Sequence, residues 1–215
     1  GGHFHNDNSV TALRDIPGLI GGCPIRGDDA AMMLRTLTAM AKVDGRVCAF
    51  LEPIALYMTK DLYEAGDALW STPYPAPDQA LEFGAERVYH EDAKDLLIVT
   101  FGNGVPFALR TAKAVEAQTG KKTRVIDLRW LQPLNAKAIA KHAGDCERIL
   151  VLDEGRRSAG IGEGVITAIV EGGHGAKPLV RVVGDDTYTP LAGAANLILP
   201  TDATVLEAAL KLVSA

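Results

Sequence analysis

The chain has 215 residues, of which 47% are hydrophobic and 23% are charged. This composition is typical of a globular protein and excludes a disordered, collagen-like or coiled-coil chain. The formal net charge of −5, with both signs mixed along the sequence, argues against a nucleic-acid partner, and no apolar run reaches the ~18 residues of a membrane span. Three widely spaced cysteines do not form a disulfide framework, so we expect a soluble protein of the cytoplasm.

The N-terminal segment is polar, begins with Gly1 rather than Met, and contains no apolar or basic leader. We interpret it as an active-site loop whose upstream strand is missing, and we therefore expect the chain to be part of a longer protein. A short helix is predicted over residues 9–16, with Asn8 or Ser9 as its cap and Pro17 ending it.

A strand–helix–strand unit comes next. Residues 19–23 and 47–51 are apolar and predict buried strands, and residues 30–43 between them have the spacing of an amphipathic helix. A strand, a helix and a second strand joined by short loops indicate a parallel α/β sheet. The pattern then stops over residues 52–83, a Pro-bearing stretch without periodicity that is typical of a linker. It also carries four large aromatic residues, which are Tyr57, Tyr63, Trp70 and Tyr74.

Alternation returns in the last part of the chain. The predicted strands are 96–101, 123–128, 148–152 and 179–183, and the helices that follow them are 105–119, 135–143, 161–171 and 202–213. Four strand–helix pairs are typical of a doubly wound α/β domain. We therefore predict three regions: residues 1–60 as the C-terminal half of one α/β domain, 61–83 as an aromatic and Pro-rich linker, and 84–215 as a complete doubly wound domain.

The first candidate site is the pair His3 and His5, whose alternate spacing would place both rings on one face of an extended segment. A metal site would need a third ligand, and His-x-His followed by Asp7 is a weak pattern for one. A histidine that orients substrate or transfers protons is the functional alternative, because its pKa lies near neutral pH. On composition alone, solvent-exposed loop histidines are the favoured interpretation.

Two glycine-containing turns and one acidic pair are further candidates. Gly102-Asn103-Gly104 stands where a phosphate-binding turn would, but the third glycine of the dinucleotide fingerprint is absent and a tight strand-to-helix turn needs glycine anyway. The stretch 160–164 also lacks that fingerprint. Asp153 and Glu154 end a predicted strand at the edge where doubly wound sheets bind ligands. Paired carboxylates there could bind a cation or act as acid and base, but we expect them to form ion pairs with the arginines that follow, Arg156 and Arg157.

Several motifs resemble one family when taken in order. Gly2-His3-Phe4-His5-Asn6 and the later Pro-Gly-Leu resemble the G-H-x-H-S-Q and x-P-G-L stretches of thiamine-diphosphate enzymes, as in the beta subunit of 2-oxo acid dehydrogenase decarboxylating components and, more distantly, transketolase. The remaining similar motifs are Cys23-Pro24, Phe50-Leu51-Glu52-Pro53 with Tyr57, Val125-Ile126-Asp127-Leu128-Arg129 with Pro133, Asp153-Glu154 with Gly160, and Gly184-x-Asp186 with Pro190.

This resemblance implies a partial pyrimidine-binding domain followed by a complete transketolase C-terminal-like domain. It implies an enzyme component, an oxidoreductase acting in the oxidative decarboxylation of a 2-oxo acid with acyl transfer to a lipoyl acceptor. The catalytic residue would be His5, near the thiazolium and the acyl acceptor, with His3 flanking it. Asn6-Asp7 replaces the family's common Ser-Gln, which bears on the substrate class.

The resemblance also implies what this chain does not carry. Thiamine diphosphate and Mg²⁺ would bind mainly outside it, because the family's activating glutamate lies upstream of the residue matching Gly1 and the sequence has no G-D-G…N motif. We predict that this chain is inactive alone and that it forms a homo-oligomer, at least a dimer. We assign no metal ligand to any of its residues. It would also contact an alpha subunit or upstream diphosphate-binding domain and a lipoyl acyltransferase core.

Two alternatives stay open. The first is a transketolase or a deoxyxylulose-phosphate-synthase-like transferase, which shares the domain order but passes the activated group to a sugar. The second is a non-catalytic α/β module that serves assembly.

Overall fold

A small sheet and a larger one organise the chain, which the computed structural model describes at residue 7 and over residues 9–214. The N-terminal part contains α1 (Val10–Arg14), β1 (Ile20–Gly22), α2 (Gly27–Val43), β2 (Cys48–Phe50) and a single 3₁₀ turn (Ile54–Leu56). β1 and β2 are parallel, as the strand–helix–strand pattern predicts.

The larger sheet has the order β3-β5-β4-β7-β8. Its elements and those around it are β3 (Arg87–Tyr89), β4 (Leu96–Thr100), α3 (Gly104–Thr119), β5 (Thr123–Asp127), β6 (Trp130–Gln132), α4 (Ala136–Asp145), β7 (Arg148–Arg156), α5 (Ile161–Ile169), β8 (Leu179–Gly184) and α6 (Asp202–Ser214). A π-helical turn (Val170–His174) follows α5, and a 3₁₀ segment (Ala192–Leu197) precedes α6. β5, β4, β7 and β8 are parallel and each is followed by a helix, so the four predicted strand–helix pairs are confirmed.

Alternate side chains of the inner strands enter different cores. Leu97 and Val99 of β4 belong to the hydrophobic cluster under α4 and α5, whereas Leu96 and Ile98 belong to the cluster under α3 and α6. Successive strand residues point to opposite faces, and here both faces are covered by helices. This arrangement is the doubly wound α/β architecture that the sequence predicts.

Two three-residue strands were absent from the sequence-based prediction. β3 is an antiparallel edge strand on β5. β6 belongs to the smaller sheet, where it pairs antiparallel with β1. This pairing brings Trp130 into the core under α2. The two parts of the chain therefore share a sheet, and the division into residues 1–60, 61–83 and 84–215 stays a prediction.

Several element ends differ from the prediction. α1 is shorter, and Ser9 has a left-handed φ of 47° and no side-chain cap contact with the helix. β7 extends to Arg156, four residues beyond the predicted end. α5 ends at Ile169 because the chain continues as a π turn in which Gly173 has a φ of 86°. The helices that the structure describes are all too short or too polar to span a bilayer.

Two aspartates within the predicted linker hold its backbone through hydrogen bonds. Asp67 accepts backbone N–H bonds from residues 62, 63, 64 and 69, and Asp61 accepts them from residues 66 and 68. These bonds hold the pKa of Asp67 well below its usual range. Within this region Trp70 is buried, whereas Tyr74 is 80% exposed. The linker is thus a folded loop with both buried and exposed aromatic residues.

Candidate functional site

An ion pair joins the N-terminal segment to the end of β7. Oδ2 of Asp7 lies 2.8 Å from Nη2 of Arg156, and the Ser9 hydroxyl donates to the same Oδ2 at 3.0 Å. The Asp7 side chain is only 10% exposed. Asp7 is therefore fixed at the carboxyl end of a parallel strand.

α1 adds hydrogen bonds to the turn beyond β7. Arg14 Nη1 donates to the carbonyl oxygens of Ala159 and Gly160 at 3.2 and 2.6 Å, and the Thr11 hydroxyl donates to Ala159 at 3.1 Å. A Cβ at Gly164 would lie 2.6 Å from Arg14 Nη2, so the guanidinium covers the first turn of α5. Both ends of the segment 7–14 are thus anchored to the same turn.

The side chain of Asp153 holds the backbone on both sides of that turn. Its carboxylate accepts the backbone N–H groups of Gly155 and Gly162, each at 2.7 Å. A Cβ at Gly160 would lie 2.7 Å from Asp153 Oδ2 and 2.7 Å from the Arg156 carbonyl oxygen, so glycine is required at the start of α5. Burial raises the pKa of the Asp153 carboxyl, although the two backbone hydrogen bonds oppose that rise.

The predicted ion pairs of Asp153 and Glu154 with the following arginines are wrong. Asp153 bonds to backbone N–H groups, Glu154 to Asn103, and Arg156 to Asp7. The reason is that β7 continues to Arg156. The strand is irregular between Asp153 and Arg156, and the charged side chains there bind partners from other segments instead of one another.

Glu154 borders a cleft of about 120 Å³ at the carboxyl ends of β4, β7 and β8. Asn103 Nδ2 donates to Glu154 Oε1 at 3.0 Å. Burial raises the pKa of the Glu154 carboxyl, the Asn103 hydrogen bond opposes the rise, and the nearby Asp153 charge adds to it. Asp7 and Asp185 also line this cleft, which therefore lies at the sheet edge where doubly wound folds bind ligands.

The loop after β8 completes the wall of the cleft. Asp186 accepts the backbone N–H of Ser158 at 2.8 Å and its hydroxyl at 2.6 Å. Arg156 donates from Nε to the Thr187 carbonyl at 3.4 Å, and its guanidinium lies 5.0 Å from the centre of the Tyr188 ring. The turn beyond β7 is consequently fixed from two directions.

Three motifs that are far apart in sequence thus meet at one edge of the sheet: the segment after the histidine pair, the Asp153-Glu154 stretch and the Gly184-x-Asp186 stretch. The candidate catalytic residues themselves, His3 and His5, lie outside the described residues. The nearest described residue is Asp7, and it contacts this edge.

The glycine-containing turn at Gly102–Gly104 does not fit a diphosphate. A Cβ at Gly104 would collide with Thr100 Oγ1, so this glycine at the start of α3 serves packing. The neighbouring Asn103 is bonded to a carboxylate that would repel phosphate. Within the part of the chain that the structure describes, no three His, Cys, Asp or Glu side chains come together as a metal site.

Sequence reasoning missed a buried ionic cluster between the two sheets. Asp29 Oδ1 lies 2.8 Å from both Arg87 Nη2 and Arg129 Nη1. Asp127 is buried beside them, and its pKa is raised to about 7 by burial and by the charge of Asp29, while Arg129 opposes the rise. A buried carboxylate needs charged partners. The residues of this cluster are far apart in the sequence, so no sequence motif indicates that they meet.

A larger cavity of about 670 Å³ opens at the carboxyl ends of β1 and β2. It is bounded by the start of α2, the 3₁₀ turn and the linker, and its wall includes Arg26, Glu52, Tyr57 and Trp70. The Tyr57 hydroxyl donates to Glu52 Oε2 at 2.7 Å, so the tyrosine and glutamate of one similar motif are in contact.

Comparison with known proteins assigns the family. The family described as "Transketolase, C-terminal domain" matches residues 85–205, which is more than half of the chain. This chain belongs to the transketolase C-terminal domain family. Enzymes of this family depend on thiamine diphosphate in general, and the predicted α/β fold with a transketolase C-terminal-like domain is confirmed.

Individual relatives are similar over nearly the whole chain. The protein named pyruvate dehydrogenase E1 component subunit beta from Staphylococcus aureus (strain Mu50) is 28% identical over 208 residues, covering 96% of this chain and 59% of that protein. The protein of the same name from Staphylococcus epidermidis (strain ATCC 12228) is 27% identical with the same coverage. The chain therefore spans 59% of the length of these curated relatives.

A solved structure supports the fold. A split gene transketolase, described as an inactive beta4 tetramer, superposes with a TM-score of 0.70 at 22% identity, covering 95% of this chain and 60% of that one. At this identity the similarity concerns the fold alone.

Proposed function

We propose that this chain is part of a thiamine-diphosphate-dependent 2-oxo acid dehydrogenase of the cytoplasm. The complete enzyme would decarboxylate a 2-oxo acid oxidatively and transfer the acyl group to a lipoyl acceptor. This chain would contribute the histidine segment of the active site and the domain that supports it. The similarity to two proteins named as E1 beta subunits supports the reaction class.

One structural observation carries the proposal for the site. Asp7, two positions after His5 in the sequence, is held by Arg156 at the carboxyl edge of the larger sheet, beside Glu154 and Asn103. Two consecutive residues can separate Cα atoms by at most about 7 Å. We therefore propose that His5, which the family resemblance assigns to catalysis, acts near this edge.

His5 would act through its imidazole. A ring with a pKa near neutral can accept or donate a proton at one nitrogen while the other orients the acyl acceptor. His3 would flank it and contribute less, because alternate residues of a twisting segment cannot both point at one reacting atom.

The cofactor and its Mg²⁺ would be held mainly by other parts of the complete enzyme, since the sequence has no G-D-G…N motif and the turn at Gly102–Gly104 does not fit a diphosphate. An alpha subunit or an upstream diphosphate-binding domain would supply that site. A lipoyl acyltransferase core would receive the acyl group. Thiamine diphosphate supplies the carbanion-stabilising chemistry, and this chain would orient the groups around it.

Assembly into a homo-oligomer follows from the exposed apolar side chains near the linker. Ile54 is 72% exposed and Met58 is 85% exposed, and Tyr57 lies between them. Exposed apolar clusters of this kind mark interfaces. We propose that a second copy covers this surface.

The test compares His5→Ala with His3→Ala in the complete enzyme. A positioned acid–base group contributes roughly 10²–10⁴-fold to a rate, so His5→Ala should reduce the overall reaction by that factor. Decarboxylation with an artificial electron acceptor should be reduced less. An overall rate within about twofold of the parent would remove the role of His5, and turnover of ketose phosphates without turnover of 2-oxo acids would favour the transketolase alternative.

A further inference from the structure

The geometry points to Asp7 and Arg156 as a positioning pair, in which Arg156 holds the residue two positions after His5 against the end of β7. This inference rests on the proposed role of His5. Neither Asp7 nor Arg156 takes part in a chemical step. The pair would affect the reaction only by positioning the part of the chain that carries His5.

Arg156 is itself well fixed. Besides Asp7 it contacts the Thr187 carbonyl through Nε at 3.4 Å, and its guanidinium lies over the Tyr188 ring at 5.0 Å. Its side chain is 32% exposed. A guanidinium that is already oriented by other groups loses little additional freedom when it binds a carboxylate. Arg156 is therefore a rigid anchor rather than a flexible surface arginine.

Asp7 is fixed from its own side as well. Its Oδ2 accepts from both Arg156 and Ser9, at 2.8 and 3.0 Å. Charge-assisted hydrogen bonds of this length are the stronger kind. Because Arg14 holds the other end of the segment at Gly160, breaking the Asp7 contact would release only the end that leads to the histidines.

Proton transfer is an unsuitable role for this pair. An arginine side chain stays protonated throughout the range in which proteins are stable, and each partner is committed to other contacts. Placement is the function that the geometry supports, and the effect on the reaction should appear in kcat with KM for the 2-oxo acid little changed.

Hydrogen exchange followed by mass spectrometry provides a test that does not need catalysis. Asp7→Asn, Arg156→Gln and the double variant are compared with the parent, using peptides that cover residues 3–14. Loss of one ion pair with charge-assisted hydrogen bonds should speed exchange there by about fivefold. The double variant should exchange no faster than the faster single variant, since both single changes remove the same contact.

The matched control is Arg110→Gln. Arg110 pairs with Asp202 at 2.8 Å and its side chain is 31% exposed, close to the exposure of Arg156, but it lies on α3 at the opposite face of the sheet. This variant should leave exchange in residues 3–14 unchanged. Peptides from α3 in the Asp7 and Arg156 variants should also exchange as in the parent, which establishes that those variants are folded.

Exchange within twofold of the parent in both single variants, additive effects in the double variant, or an equal rise in Arg110→Gln would each overturn the positioning pair. The kinetic measurement in the complete enzyme separates the two proposals. A rise in exchange without any 2-oxo acid turnover in the parent would refute the proposed reaction and leave the positioning pair intact.

Discussion

The carboxylate of Asp29 and the guanidinium of Arg129 lie 2.8 Å apart in the interior, although the two residues are 100 positions apart in sequence. Asp29 is in the first turn of α2, and Arg129 follows β5. The pair therefore joins the N-terminal helix to the larger sheet by a buried charge contact, and Arg87 adds a second cation to the same oxygen.

We predict that Asp29→Ala destabilises the chain strongly. The substitution leaves Arg129 buried without its anion and weakens the position of Arg87, and breaking a buried ion pair in this way costs about 3–5 kcal/mol. Urea unfolding measures the free energy. Glu207→Gln, which breaks an exposed pair with Lys211 on α6, is the control and should shift stability by less than about 0.5 kcal/mol. Equal losses in both variants would contradict the structural role of Asp29.

The pH dependence of stability should change in Asp127→Asn. The folded pKa of Asp127 is raised to about 7 from an ordinary value of 3.8. Between these values the unfolded chain loses the proton while the folded chain keeps it, so the wild-type residue increasingly destabilises the fold as pH rises from about 4 to 7.

Asparagine cannot ionise, so the variant should gain stability relative to the parent as pH increases. The gain is small at about pH 4 and reaches at most about 4 kcal/mol above pH 7. Urea unfolding at pH 4.5, 6 and 8 would measure it. A difference between variant and parent that is the same at all three values would show that Asp127 does not titrate in this window.

Gly104→Ala should be destabilising because the new Cβ would collide with Thr100 Oγ1 and lie 3.3 Å from Leu152 Cγ. Overpacking of this kind costs roughly 1–3 kcal/mol. Gly193→Ala is the matched control, since a Cβ there would meet nothing within 4 Å. Adding Thr100→Ala should recover part of the loss, and thermal unfolding of the four proteins would compare them. If the double variant were no more stable than Gly104→Ala, the hydroxyl would not be the obstacle.

From the exposed side chains of Ile54 and Met58 we predict that the chain forms a homo-oligomer through this surface. Light scattering should give a mass of at least twice 22.8 kDa. Ile54→Asp with Met58→Asp should reduce that mass, because a charge in an apolar interface is poorly tolerated. Leu197→Asp, at a residue that is 84% exposed elsewhere, should leave the mass unchanged. A parent protein that is monodisperse at 22.8 kDa would rule out the predicted homo-oligomer.

Much of the fold could be predicted because its signals are local. β4 and the other parallel strands of the larger sheet are apolar runs, and the helices after them have clear ends, such as Gly120 with a φ of 71° and the Thr201 hydroxyl that accepts from Thr204 N. By contrast, β3 and β6 have three residues each, which is too short for periodicity to register.

The site was predicted less completely for a different reason. The sequence indicates that Asp153 and Glu154 lie at a functional edge, but their partners depend on whether the strand continues. Because β7 extends to Arg156, the arginine reaches Asp7, which is 149 residues away. Contacts over such distances leave no pattern in a single sequence, and the cluster around Asp29 was missed for the same reason.

The loop built on Asp61 and Asp67 has a consequence for the order of folding. Its six carboxylate bonds join residues at most seven positions apart. A loop of about ten residues closes in roughly 10–100 ns, whereas distant strand pairings form far later. The bonds of this loop can therefore close before β6 pairs with β1 during folding, because none of them depends on a residue more than seven positions away.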